Sequence, residues 1–288
     1  MQLNVSDNPH KHLIIWLLTG CLLIYLMVII GGITRLTHSG LSMVEWSPTG
    51  SLPPMNEADW NTEFTKYKQS PEYLLINHHF SLADFKNIYL WEFYHRFTGR
   101  LIGIVFIIPF IWFIVRKKFP EGFLKKSLVL LALGALQGLL GWYMVKSGLV
   151  KNPHVSHYRL AAHLITAFTT FGFTFWYALD LVYPEKRTES TGFKNLIRLL
   201  LTLVVIQITY GAFVAGLKAG YIYPTFPMMG NDWLPDDVWL LQPVWKNFVE
   251  GAIGVQFIHR CLAYVVTLCV VVIYLRAKNS PVNLLQKK

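Results

Sequence analysis

Long apolar runs alternate with short stretches that are charged or rich in Pro and aromatic residues along all 288 positions of the chain. Six runs approach the roughly 20 residues that a helix needs to cross a hydrocarbon core about 30 Å thick. They predict helices over 13–34, 91–115, 127–146, 158–180, 198–217 and 251–275. In the second, the uncharged stretch from Leu101 to Val115 is too short to span alone, so the helix must also carry Glu92 through Arg100 into the membrane. The pattern predicts an all-α integral membrane protein, a six-helix transmembrane bundle.

Composition agrees, with 53% hydrophobic and 15% charged residues against about 25% charged in soluble domains. The first run is too long for a signal peptide and lacks a small-residue cleavage site. No transit peptide precedes it, which points to a bacterial inner (plasma) membrane. The net charge of +10 follows topology. Basic residues fall in alternate loops: Arg116, Lys117, Lys118, Lys125 and Lys126, then Lys186, Arg187, Lys194 and Arg198, then Arg276, Lys278, Lys287 and Lys288. The opposite loops hold acids such as Glu57, Asp59, Glu63, Glu72, Asp232, Asp236 and Asp237. The positive-inside rule then puts both termini in the cytoplasm, and the lipid bilayer, not nucleic acid, is the expected partner. Cys21, Cys261 and Cys269 lie within predicted helices and are expected to be small buried hydrophobes.

The two long external segments, 35–90 and 218–250, are rich in Pro, Trp, Tyr and Asn, including Trp46 and Pro48. They are expected to form ordered caps at the membrane interface. A repeat joins them. Gly31, Gly40 and Gly50 share their spacing with Gly211, Gly220 and Gly230, and each series leads to a helix bearing the same signature. W-E-F-Y-H-R at 91–96 returns as V-Q-F-I-H-R at 255–260. The chain is therefore expected to comprise a complete four-helix half, 1–183, and half of a second repeat, 184–288. The second half would lack one helix pair and a partner for His259.

Ionisable residues inside a bilayer are costly and usually functional. His95 and His163 are both expected near the outer ends of parallel helices, at similar depth. There they would serve as opposite axial ligands of a haem packed between helices. Arg96 and Arg260, and less strongly Arg100 and Arg159, are candidates for binding propionates, since guanidinium pairs well with carboxylate. Glu92 shares a helical face with His95. In an apolar pocket its proton affinity would rise, making proton exchange feasible; the other expectation is a hydrogen-bond partner for a neighbouring arginine. Gln256 replaces it in the second copy, so chemistry is expected at the first site and cofactor holding at the second. His10, His12, His38, His78, His79, His154 and His157 are expected in ordinary polar roles.

The strings G-G-I-T-R-L-T-H-S-G-L-S-M-V-E-W, W-E-F-Y-H-R-F-T-G-R, Q-G-L-L-G-W-Y-M-V-K-S-G-L, Y-R-L-A-A-H-L and F-P-M-M-G-N-D-W closely resemble the haem A synthase family, in order, from about residue 13 to about 275. The resemblance implies oxidation of the C8 methyl of haem O to the formyl group of haem A, for terminal oxidases. It implies His95 and His163 as iron ligands of the substrate half and Glu92 as the essential acid beside them. It also implies His259 as a haem b ligand and a farnesyltransferase that produces haem O. The electron acceptor is not indicated. Family members usually have eight helices, so an alternative expectation is a truncated, catalytically inactive haem-binding membrane cytochrome. A weaker one, suggested by the repeat, is a transporter. Association of several copies would be one source of a missing ligand.

Overall fold

A computed structural model describes residues 8–45, 47, 50, 52–149, 153, 155–183 and 191–279. Trp46, Pro48, His154, Lys186, Arg187, Lys287 and Lys288 lie outside these. The described chain is helical, with no strand among its described residues: α1 (Lys11–Leu36), α2 (Glu57–Tyr67), α3 (Leu82–Val115), α4 (Phe123–Gly148), α5 (His157–Val182), α6 (Thr191–Gly216) and α7 (Ala252–Asn279). All but the short α2 are long and apolar enough to cross a membrane, giving six spans. This is a multi-pass membrane protein.

The helices divide between two compact units. One runs through α1–α4 to Val155 and resumes at Thr166–Val182; the other takes Ser156–Ile165 and the chain from Tyr183 onward. α5 thus contributes its N-terminal stretch to one unit and the rest to the other.

In the first unit α1 packs along α3. Pro109 lies inside α3, and a proline lacks the N–H that would bond the carbonyl four residues back. That carbonyl, Val105 O, instead accepts from the Trp16 indole at 3.2 Å. Trp16 also joins a buried cluster with Leu13, Leu17, Phe110, Phe113, Phe123 and Tyr177, tying α1, α3, α4 and the inner part of α5 together.

α3 begins nine residues before the predicted Trp91, and the cause is a capping box. Ser81 accepts from the Asp84 backbone N–H, and Asp84 accepts from that of Ser81 at 2.9 Å, satisfying N–H groups that a helix start otherwise leaves unpaired. The extension carries Phe85, Ile88 and Tyr89 into a second core with Met43, Phe64 and Tyr67 from the external segment. That segment is therefore folded over its own aromatic centre. Below it Tyr67, fully buried, donates to Glu72 at 3.0 Å and accepts from Asn77 at 2.9 Å. Burial first, and the Glu72 charge second, push its phenol well above the ordinary tyrosine range.

In the second unit α6 packs along α7. Ala161 on the outer end of α5 joins Ala212, Phe213 and Val255 in its core. The external segment after α6 consists of short 3₁₀ turns, Ala219–Tyr221, Asp236–Trp239 and Val244–Phe248. Asn247, 1% exposed, holds it together by pairing with both backbone groups of Leu241 and with Val244 O.

Candidate functional site

In the first unit, Glu92, His95 and Arg96 share one face of α3 at a spacing of three and four residues, and the loop after α1 lies over that face. Glu92 is 2% exposed. Its Oε2 accepts from the Ser42 hydroxyl at 2.7 Å and from the Met43 backbone N–H at 2.8 Å; its Oε1 accepts from Arg96. Arg96 donates further to the carbonyls of Met43 (2.9 Å) and Glu45 (3.0 Å). Of the two surroundings expected for Glu92, an apolar pocket or a neighbouring arginine, the arginine is the one found. The result is a polar clamp in which the carboxylate accepts on both oxygens, because the loop turns a hydroxyl and a backbone N–H toward it. His95 lies more than three turns into α3, deeper along the helix than expected, because α3 starts early. Its ring rests on Gly31 of α1: a Cβ there would sit 3.3 Å from His95 Nε2. Further along, Arg100 donates to Ser47 O at 3.0 Å and covers Gly50, which has φ +86°.

The second unit repeats this plan with different groups. His259 rests on Gly211 of α6, where a Cβ would lie 3.3 Å from its Cε1. Arg260 donates to the carbonyls of Tyr223 (2.6 Å) and Met228 (3.2 Å). Gln256 occupies the place of Glu92 and donates to Tyr223 O at 2.8 Å. The third glycine of the series, Gly230, again has positive φ, +70°. So the first glycine of each series makes room for a histidine ring, and the third bends the loop.

His259 has the make-up that an iron-ligating imidazole needs. An imidazole ligand needs one nitrogen with a free lone pair while the other is oriented by a hydrogen bond. His259 has a bond to the Gln207 backbone, and its Nδ1 is buried with no hydrogen-bond partner. Gly31 and Gly211 let each ring lie against a helix where a methyl would crowd it. His163 lies under two turns into α5, in the stretch Ser156–Ile165 that groups with α6 and α7. It therefore belongs to the unit of His259, and His95 to the other. His157, given no special role by sequence, packs against Gly216 and bonds Val249 O at 2.9 Å. Sequence reasoning missed Ser42, Met43, Tyr223 and Met228. It noted the glycine spacing without its purpose. No cluster of three or more His, Cys, Asp or Glu side chains forms a metal site among the described residues.

Comparison with known proteins gives a consistent picture. Residues 14–287 match the model of the COX15-CtaA family, described as cytochrome oxidase assembly protein. The chain is 50% identical over 283 residues to the heme A synthase of Flavobacterium psychrophilum, covering 96% of this chain and 84% of that one. It is 49% identical to that of Flavobacterium johnsoniae (94% and 82% covered) and 46% to that of Parvibaculum lavamentivorans (92% and 78%). No solved structure matches.

Proposed function

The chain belongs to the COX15-CtaA family, and on that premise we propose that it is a haem A synthase, oxidising the C8 methyl of haem O to the formyl group of haem A. The likeness to heme A synthases along nearly the whole chain carries this reading, and the Glu92–His95–Arg96 cluster lies within the matched stretch. The inactive-cytochrome alternative finds no support among these relatives. Haem O is the substrate, supplied by a farnesyltransferase. The site lies in the bacterial plasma membrane, with the basic loops and both termini cytoplasmic.

In this reading His95 and His163 hold the iron of the substrate haem and Arg96 faces a propionate. Residues 1–183 form the substrate half, although the outer end of α5 groups with the second unit, and 184–288 form the haem b half. His259 and Arg260 hold haem b, which would supply a one-electron carrier. Converting a methyl to a formyl group removes electrons and protons and brings in one oxygen, so positive charge develops at the carbon wherever electrons leave ahead of protons. Glu92 answers that charge. With both oxygens accepting from fixed donors, it suits a preorganised negative charge better than a proton shuttle. Its backbone and side-chain donors need no rearrangement as charge develops.

Pigment extraction from the purified protein supplied with haem O tests the proposal. Haem A or a hydroxylated intermediate is expected; haem O recovered unchanged, with haem b alone alongside, would overturn it.

A further inference from the structure

Arg96 and Arg260 follow the two histidines directly, and each ties an external loop to its helix through two backbone carbonyls. Their charge environments differ. Arg96 is paired with buried Glu92, so cation and anion cancel locally. Arg260 has neutral Gln256 beside it on the same carbonyl, Tyr223 O. Among the described residues no carboxylate pairs with Arg260. Asp237, which accepts from the Tyr223 hydroxyl at 2.8 Å, and Asp232 belong to the same loop, but both are exposed. Water and salt screen such charges strongly. A half-buried guanidinium and a buried amide are screened much less.

We propose that Gln256 leaves the second site one negative charge short of the first, and that this deficit raises the reduction potential of the haem held by His259. The inference rests on reading His259 as a haem b ligand. Ferric iron that takes up one electron becomes ferrous and loses one positive charge. Whatever the haem's own propionates contribute at both sites, a guanidinium with no protein carboxylate beside it favours the ferrous form, and a carboxylate in the place of Gln256 would oppose it. The Glu/Gln exchange between the copies thus orders the sites. Electrons withdrawn where Glu92 stands are held more favourably where Gln256 stands. The exchange costs the fold little, because an amide holds the second loop as a carboxylate holds the first.

The midpoint potential of the purified, haem-loaded full chain tests this, read from the haem b absorption band in a spectroelectrochemical cell. The electron comes from the electrode through soluble mediators. At pH 8, Gln256→Glu should shift the reduction equilibrium on the order of tenfold toward the ferric form, a fall of about 59 mV for a one-electron couple. Arg260→Gln, which removes the cation, should shift it in the same direction, and Gln256→Met, which changes no charge, by less than about twofold. Unchanged midpoints in both Gln256→Glu and Arg260→Gln, with haem retained, would sink the charge ordering. A His259→Ala protein that keeps the same haem b band and midpoint would instead sink the ligand reading beneath it.

Discussion

In the first copy the residue three before the histidine is Glu92, accepting from Ser42, Met43 and Arg96; in the second it is Gln256, donating to Tyr223. Both arrangements anchor a long loop to a membrane helix, and both add an arginine reaching loop carbonyls. The second shows that this anchoring needs no carboxylate: a neutral amide and a guanidinium suffice. The charge of Glu92 is therefore surplus to the mechanical task. That surplus is what the proposal of chemistry at the first copy draws on.

The largest expected effect comes from erasing the difference. Glu92→Gln should retain haem yet lower conversion of haem O by at least about a hundredfold, the scale of losing one charge-stabilising group. Extracted haems report the product. Normal haem A production by this variant would break the comparison.

Next come the ligands. His95→Ala should abolish retention of substrate haem while leaving haem b, and His259→Ala the reverse, each read from pyridine-treated spectra. Loss of both haems in either variant would mean that the two sites are not separable as described.

Smaller effects should follow from Gly31→Ala and Gly211→Ala. In a helix interior the exchange is worth up to about 1 kcal/mol of propensity in favour of Ala. The new methyl, however, meets a histidine ring at 3.3 Å in each copy. Altered haem spectra with undiminished thermal stability of the haem-free protein are expected. Unchanged spectra in both would show that the rings do not depend on this space.

Ser42→Ala removes one donor from buried Glu92. A hydrogen bond to a charged group contributes about 1.5–3 kcal/mol, so cleavage of the 37–47 loop by added protease should accelerate. The second loop, whose anchors Gln256 and Arg260 are untouched by this change, should be unaffected.

The smallest effect concerns pH. The buried Tyr67 phenol is held above its ordinary value. The folded state thus keeps this proton when the unfolded chain has lost it, and stability is complete below about pH 10 and declines above it. Near-ultraviolet circular dichroism of the first external segment should weaken on that alkaline side, and Tyr67→Phe should flatten the dependence. The Tyr223 phenol is raised mainly by its bond to Asp237, but it lies in water, so the second segment should respond less.

Hydropathy alone located all six spans, because lipid demands long uninterrupted apolar helices whatever their neighbours. It missed the outer nine residues of α3, whose composition is mixed. Their helicity comes from the Ser81–Asp84 cap and from burying Phe85, Ile88 and Tyr89 beneath α2. α2 itself, opened by the Asn56 side chain accepting from the Asp59 N–H, also passed unnoticed among polar residues.

At the candidate site the sequence determined the cast: Glu92, His95 and Arg96 on one helix face, Gln256, His259 and Arg260 on another, and two glycine series at matching intervals. Helical spacing makes such neighbours readable along a single strand of text. Only the tertiary structure decided what they touch. Ser42 and Met43 reach Glu92 across about fifty residues, and Tyr223 reaches Gln256 across more than thirty. Contacts of that range depend on how a loop closes over a helix, and no local pattern encodes that closure. For the same reason the arginine beside Glu92 was readable from its spacing and the other donors were not: a buried carboxylate must find partners, and the folded loop supplied the rest.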